Sequence, residues 1–336
     1  MTDLPLTSEA LYFGLNIGLG SIEIVKMRRD LVQLRDIIEN RIRNDGDRAM
    51  ISGSTREGYR LASSDFDLMQ WPVNHKLISI LSQAERYQST KNTLILMESE
   101  RCPPGFVLLR LLNDTDQYRV HRACIEENNA LYISSSKYRE VMFLKYGNPE
   151  DESHGPCTSG TVEVTNEQYD HACCFMSDIW PAQALSWIER CTSNLWPSMA
   201  TLSKIVNSGC HAVAIGHKLS SYEDVEWRIS FSLAEHILMF SLNHCQFLCY
   251  GLLKLFLNEV INKSNAQERV LCSYHLKTTL LWVVQENIVQ NWCPKNLIKC
   301  FWICFQTIIN YVYHGVCPNF FIPENNMFLG KVEGDV

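Results

Sequence analysis

The chain has 336 residues, of which 46% are apolar and 20% charged, and a formal net charge of −7. These are globular values, enough for a sizeable core in one large domain or two of ordinary size. They exclude a protein coated in basic surface, although a local basic patch is compatible with them.

The first residues, MTDLPLTSEALYFG, hold no basic segment followed by an apolar one, so no secretory leader is expected. Ser21 to Asn44 predicts one long amphipathic helix. Ile24, Val25, Leu31, Leu34, Ile38 and Ile42 recur near a 3.6-residue period, and Asn44-Asp45-Gly46 ends it. The other face carries Arg28, Arg29, Arg35, Arg41 and Arg43 mixed with Asp30, Asp36 and Glu39, which reads as a solvated face.

Residues 51–71, ISGSTREGYRLASSDFDLMQW, are the most informative stretch. Gly53-Ser54 precedes two aspartates spaced i, i+2, Asp65 and Asp67. On a strand both carboxylates project from one face, with Phe66 and Leu68 turned to the core on the other. Two adjacent carboxylates repel, and a hard divalent cation such as Mg²⁺ relieves them. A Gly-Ser turn can offer backbone N–H groups and a hydroxyl to phosphates.

From Ala49 to Cys174 the pattern predicts short strands: Phe66 to Met69, Thr93 to Glu98, Val107 to Leu112 and Tyr169 to Phe175. Asn113-Asp114 and the polar segment Gly147 to Gly160 read as loops, with His154 and Cys157 in the second. Two-metal chemistry needs a third carboxylate on a neighbouring strand. Asp170, at the start of the QYDHACCF run, is the candidate; Asp178 is its rival, beside Trp180-Pro181 where a loop is expected. His171, Cys173 and Cys174 read as packed core, because no fourth zinc ligand has suitable spacing.

After Trp180-Pro181 the period turns helical: Gln183 to Cys191, Ser198 to Asn207, Phe231 to Val260, Ser273 to Glu286 and Asn296 to Tyr313. Leu297 to Val312 is interrupted by Lys299, Gln306 and Asn310, so no membrane span is expected. The fourteen cysteines include no C-x-x-C pair and many lie in apolar runs, a pattern expected of a reducing, cytoplasmic compartment. Lys254 lies on an apolar helix. Ser273 can cap the next one, and Tyr274 and Lys277 share a face at i, i+3. Two ammonium groups and a hydroxyl can hold a triphosphate while the phenol stacks a base, but on the residues alone snorkelling lysines and a core tyrosine are the better reading. The expected division is a core over residues 1–230 and a helical domain over 231–336.

The segments ISGSTREG, SSDFDLM, EWRISFSLAE, LCSYHLKT and NFFIPENNMF together resemble the male-abnormal-21-like family, in its cyclic GMP-AMP synthase-like receptor branch. The resemblance runs from about residue 20 to 330. It implies an α+β fold: a bilobed nucleotidyltransferase core of the polymerase-β type with an N-terminal spine helix and a helical C-terminal lobe. It implies that Asp65, Asp67 and Asp170 are catalytic metal ligands. It further implies that Gly53 and Ser54 form the phosphate loop, that Lys254, Ser273 and Lys277 hold triphosphate, and that Tyr274 stacks a base.

The implied activity is Mg²⁺- or Mn²⁺-dependent joining of ATP and GTP into a cyclic dinucleotide, in innate immunity, triggered by a ligand such as double-stranded RNA. Pairing of two chains on that ligand is part of the expectation. The zinc ribbon of the DNA-sensing synthase is missing from this sequence, so no structural zinc is expected. The alternative is a catalytically silent nucleotide-binding or scaffold protein of the same family. A template-independent polymerase is disfavoured by the S-Y-H-L-K-T and F-I-P-E segments.

Overall fold

The computed structural model describes residues 3–60, 66–113, 118–162, 167–264, 270–330 and 332. The chain divides into two compact units, one of Arg28–Leu185 and Ser203–Ile237, the other of Met1–Met27, Ser186–Leu202 and Leu238–Val336.

The chain opens with two helices, α1 (Leu4–Leu19) and α2 (Ile22–Ile42). α1 was not expected from the sequence, although Pro5 in its first turn is a helix-start signal. The first unit then builds its sheet. β1 (Asp47–Ile51) leads through α3 (Gly53–Glu57) to β2 (Phe66–Pro72), β3 (His75–Ile78), β4 (Thr93–Glu98) and β5 (Phe106–Leu111). α4 (Tyr118–Ala123), β6 (Cys124–Glu127), β7 (Ala130–Ile133) and α5 (Ser135–Tyr146) follow, then β8 (Glu152–His154), β9 (Cys157–Val162) and β10 (Glu167–Ser177). After α6 (Leu185–Asn194) and α7 (Met199–Ser208), strands β11 (Cys210–Val213) and β12 (Trp227–Ser230) complete the sheet. Its strand order is β1-β2-β10-β11-β12-β5-β4-β3, with β6, β7, β8 and β9 attached at its margins.

Two expectations are corrected here. The segment Gly147 to Gly160 is not a loop. It contains β8 and much of β9, and pairs His154 with Cys157 and Ser159 with Asp170. Its turn-forming residues are real, but pairing with the long β10 overrides them. α5 interrupts a stretch read as strands; Ser134 caps it by accepting from the Lys137 N–H, and Tyr138 and Met142 bury one face.

The second unit is helical: α1, nearly all of α6, the end of α8 (Ser232–Ser241, which the division cuts), α9 (His244–Phe256), α10 (Asn262–Ser264), α11 (Ser273–Gln285) and α12 (Leu297–His314). The single helix expected over 231–260 is broken. Asn243 starts α9 by accepting from the Gln246 N–H, while Gln246 Oε1 accepts from the Asn243 N–H. The fold is therefore a mixed helix-and-sheet domain with a helical C-terminal domain. All fourteen cysteines are free thiols. Among the described residues, no helix is long and apolar enough to cross a membrane.

α2 departs most from expectation. Val25 is buried, but Ile24, Leu31, Leu34, Ile38 and Ile42 are all exposed. The inward side is polar because it serves the edge strand. Asn40 Nδ2 donates to the Ala49 carbonyl (2.7 Å) and Asn40 Oδ1 accepts from the Ala49 N–H (2.8 Å). Asp36 Oδ1 accepts from the Ile51 N–H (3.0 Å). These bonds satisfy groups that an uncovered sheet edge would leave open.

Candidate functional site

The site is built where β2 and β10 run side by side. The two strands are parallel, with Asp67 opposite Asp170 and Met69 opposite Ala172. Adjacent strands lie about 4.8 Å apart, and registered residues of a parallel pair share a face. Beyond the acids this face becomes apolar: Met69, Ala172 and Cys174 pack with Met50 and Val213. The carboxylates therefore stand at the polar end of a core face. Phe66 and Leu68 do point the other way, but not into a core. They line an open cavity of about 620 Å³ with Gln70, Tyr169 and His171.

Each acid is held locally. Ser159 Oγ, from β9, donates to Asp170 Oδ1. The Ser52 N–H donates to the Asp67 carbonyl (2.8 Å), tying the turn before α3 to β2. Gly53 follows at φ +61°, and a Cβ there would fall 1.8 Å from Asp67 Oδ2. Only glycine lets the backbone lie this close to the carboxylate. The turn is anchored to α2, because Arg29 Nε donates to the Glu57 carbonyl (2.8 Å) and Arg56 pairs with Asp36. Ser54 lies in the first turn of α3 and has its own bonding partners.

Cys157, opposite Ala172, reports on the charge. Burial pushes its thiol up to about 12, and the negative charges of Asp170 and Asp67 add to the rise. The Arg228 guanidinium on β12 opposes them, which puts a cation within electrostatic reach of the same thiol. Asp178, the rival third acid, is exposed and accepts from Tyr87 Oη (3.0 Å) beyond the end of β10. Asp65 lies outside the described residues. Among those described, no three His, Cys, Asp or Glu side chains gather as a metal site.

Two carboxylates in register, one oriented by a hydroxyl and one resting on a glycine backbone, fit a divalent cation by donor chemistry. Ser159, Cys157 and Arg228 were not anticipated. The first two sit in the segment read as a loop, and only the alternation C-T-S-G-T could have marked it as a strand. His171 Nε2 lies 3.1 Å from Gln70 Oε1 and 3.8 Å from Cys173 Sγ. Burial, with help from Arg43, pushes His171 down to about 4, so the ring is neutral.

The helical unit carries the remaining predicted residues. Lys254 on α9 and Lys277 on α11 are only 4% and 8% exposed, unusual for lysine. Each ammonium lies by a phenol: Lys254 Nζ is 5.5 Å from the Tyr250 ring and Lys277 Nζ 5.7 Å from the Tyr274 ring. Tyr250 Oη donates to the Ser273 carbonyl (3.1 Å), joining α9 to the start of α11. Ser273 is not the cap. Cys272 holds that position, and its N–H donates to His275 Nδ1 (3.2 Å). The NFFIPENN segment presents Asn319, whose Nδ2 donates to Tyr274 Oη (3.4 Å) and whose Oδ1 accepts from the Phe321 and Ile322 N–H groups.

A mixed sheet with paired acids at one end, followed by a helical domain, is the build of a nucleotidyltransferase. Residues 149–241 match the Mab-21 protein nucleotidyltransferase domain, and residues 245–335 match the Mab-21 protein HhH/H2TH-like domain. Together the matches cover more than half of the chain, and the chain belongs to the Mab-21 family. The first match includes Ser159 and Asp170; Gly53 to Asp67 precede it. The chain is also similar to the cyclic GMP-AMP synthase of Sus scrofa, 30% identical over 126 residues, which is 32% of this chain and 25% of that protein. For the Mus musculus cyclic GMP-AMP synthase the identity is 28% over 125 residues, 32% of this chain and 24% of that protein. The matched stretch thus spans about a quarter of these relatives' length.

Proposed function

We propose that the protein is a divalent-metal-dependent nucleotidyltransferase that joins ATP and GTP into a cyclic dinucleotide in the cytoplasm, switched on by a ligand such as double-stranded RNA. The observation that carries the reading is the registered pair Asp67 and Asp170 on parallel strands. Similarity to the cyclic GMP-AMP synthases supports the choice of product.

Asp67 and Asp170, with Asp65, would hold Mg²⁺ or Mn²⁺. Bound there, the ions supply neutralisation of phosphate charge and acidification of the attacking hydroxyl. Ser159 fixes one carboxylate oxygen of Asp170, and Gly53 keeps space beside Asp67. Gly53 and Ser54 offer an N–H and a hydroxyl to phosphate. Lys254, Ser273 and Lys277 bind the triphosphate as charged and hydroxyl donors, and Tyr274 stacks a base. Catalysis rests on positioning and charge neutralisation.

The test is incubation of purified protein with labelled ATP and GTP, Mg²⁺ or Mn²⁺, and a panel of double-stranded RNA and DNA. A cyclic product that disappears with Asp65→Ala plus Asp67→Ala, in a folded protein, supports the proposal. Nucleotide binding without product under any activator would instead make this a silent binding protein.

A further inference from the structure

α2 wears its faces reversed. Its inward side is the polar one that serves β1. Its outward side exposes Ile24, Met27, Leu31, Leu34 and Ile38 by 42%, 55%, 57%, 52% and 48%. A surface helix in water carries the opposite pattern. The spacing of these five is 3, 4, 3, 4, the a and d seam of a coiled coil, with Ile42 flanking its end. The positions beside the seam carry charge in a fixed order. With Ile24 at a, Glu23 and Asp30 fall at g, and Arg28 and Arg35 fall at e.

We propose that α2 pairs in parallel with the α2 of a second copy of this chain, forming a short two-stranded coiled coil without any nucleic acid. The order of charges selects this occupant and this direction. In a parallel pair each g position faces the e position five residues further along the other helix. Glu23 then meets the other copy's position 28, an arginine, and Asp30 meets position 35, also an arginine. An antiparallel pair would set acids against acids and arginines against arginines. The existing bonds of the arginines do not compete. Arg28 gives an N–H to the Gly58 carbonyl and has a further partner, Arg35 pairs with Glu39 and lies over the Phe66 ring, and a guanidinium has five donors to share among them. Arg41 stands where the next d residue would fall, so the seam is short and the association concentration-dependent.

Sedimentation equilibrium of the full chain between about 1 and 300 µM tests this. The expected mass rises from 38.7 kDa towards twice that value as concentration increases. Leu31→Glu with Leu34→Glu should weaken association by at least ~100-fold, with unchanged circular dichroism because both side chains are exposed. Ile38→Cys should form a disulfide-linked dimer on oxidation, beyond any link the parent chain makes through its exposed Cys272, since like a positions meet only in a parallel pair. Arg35→Glu should disperse the dimer, as should Asp30→Arg, and mixing the two variants should restore it. A chain that stays monomeric throughout overturns the proposal. So does a dimer that survives the double glutamate variant, a dimer in which Ile38→Cys fails to link, or a seam that binds only an unrelated protein.

Discussion

Buried Asp47 and the half-buried pair Asp67 and Asp170, all in one sheet, make an instructive contrast. Asp47, at the start of β1, is 8% exposed and ringed by donors: Tyr146 Oη at 2.6 Å, Gln70 Nε2 at 2.9 Å, Lys145 Nζ at 3.6 Å and Arg119 Nη1 at 3.8 Å. Burial pushes its carboxyl up, but the hydrogen bonds from Tyr146 and Gln70 and the two cations outweigh it and hold it below the usual carboxylate value. Asp67 has another carboxylate, Asp170, as its registered neighbour. An acid that the protein itself neutralises is structural. Two acids set side by side, each with local partners of its own, still repel each other, and a bound cation relieves that repulsion.

Substitutions can break this contrast in order of effect. Asp67→Asn or Asp170→Asn should lower nucleotide transfer by at least ~10³-fold while leaving thermal unfolding almost unmoved, measured by labelled-nucleotide turnover beside calorimetry. Asp47→Ala should do the reverse. Removing the acid leaves Gln70, Tyr146 and two cations without their partner, at a cost of about 2–4 kcal/mol in urea unfolding. Gly53→Ala should act on both readouts. It drives a methyl group into Asp67 and pays about 1 kcal/mol for a left-handed backbone, so activity should fall ~10–100-fold with a modest loss of stability.

Acidity should act more gently, through three histidines on the strands of the same sheet. Burial pushes His75 and His211 down to about 4, as it does His171 with a contribution from Arg43. Unfolded histidine takes up its proton near 6.5. Between pH 6.5 and 4 the unfolded state therefore binds more protons. Stability from these rings is complete above 6.5 and drains as pH falls, by on the order of 1 kcal/mol per histidine per pH unit. Thermal unfolding at pH 7.5, 6 and 5 should show that decline, while a flat profile would mean the rings take up protons as readily in the fold as in the unfolded chain.

Much of this arrangement was legible in the sequence. β4 matched its expected bounds, and β2 and β10 lay where the apolar alternation put them. Asp170 could be named because it opens an apolar strand run. What could not be read was pairing at a distance. Nothing local told that Ser159 would sit opposite Asp170, since GNPEDESHGPCTSG looks like a loop until β10 supplies its partner. Nor did the periodicity of α2 say which face turns inward. That depends on Asn40 and Asp36 bonding to β1, which only the register of the sheet edge decides. The broken helix at Asn243 was readable in principle, because N-x-x-Q is a helix-start pattern.

The central claim is that Asp67 and Asp170 together hold a divalent cation, and the direct measurement is Mn²⁺ binding followed by electron paramagnetic resonance. The wild-type chain should bind Mn²⁺, Asp67→Asn and Asp170→Asn should each weaken binding by at least ~10-fold, and Asp178→Asn should leave it unchanged. Full binding retained in Asp170→Asn, or binding lost in Asp178→Asn, would contradict the account.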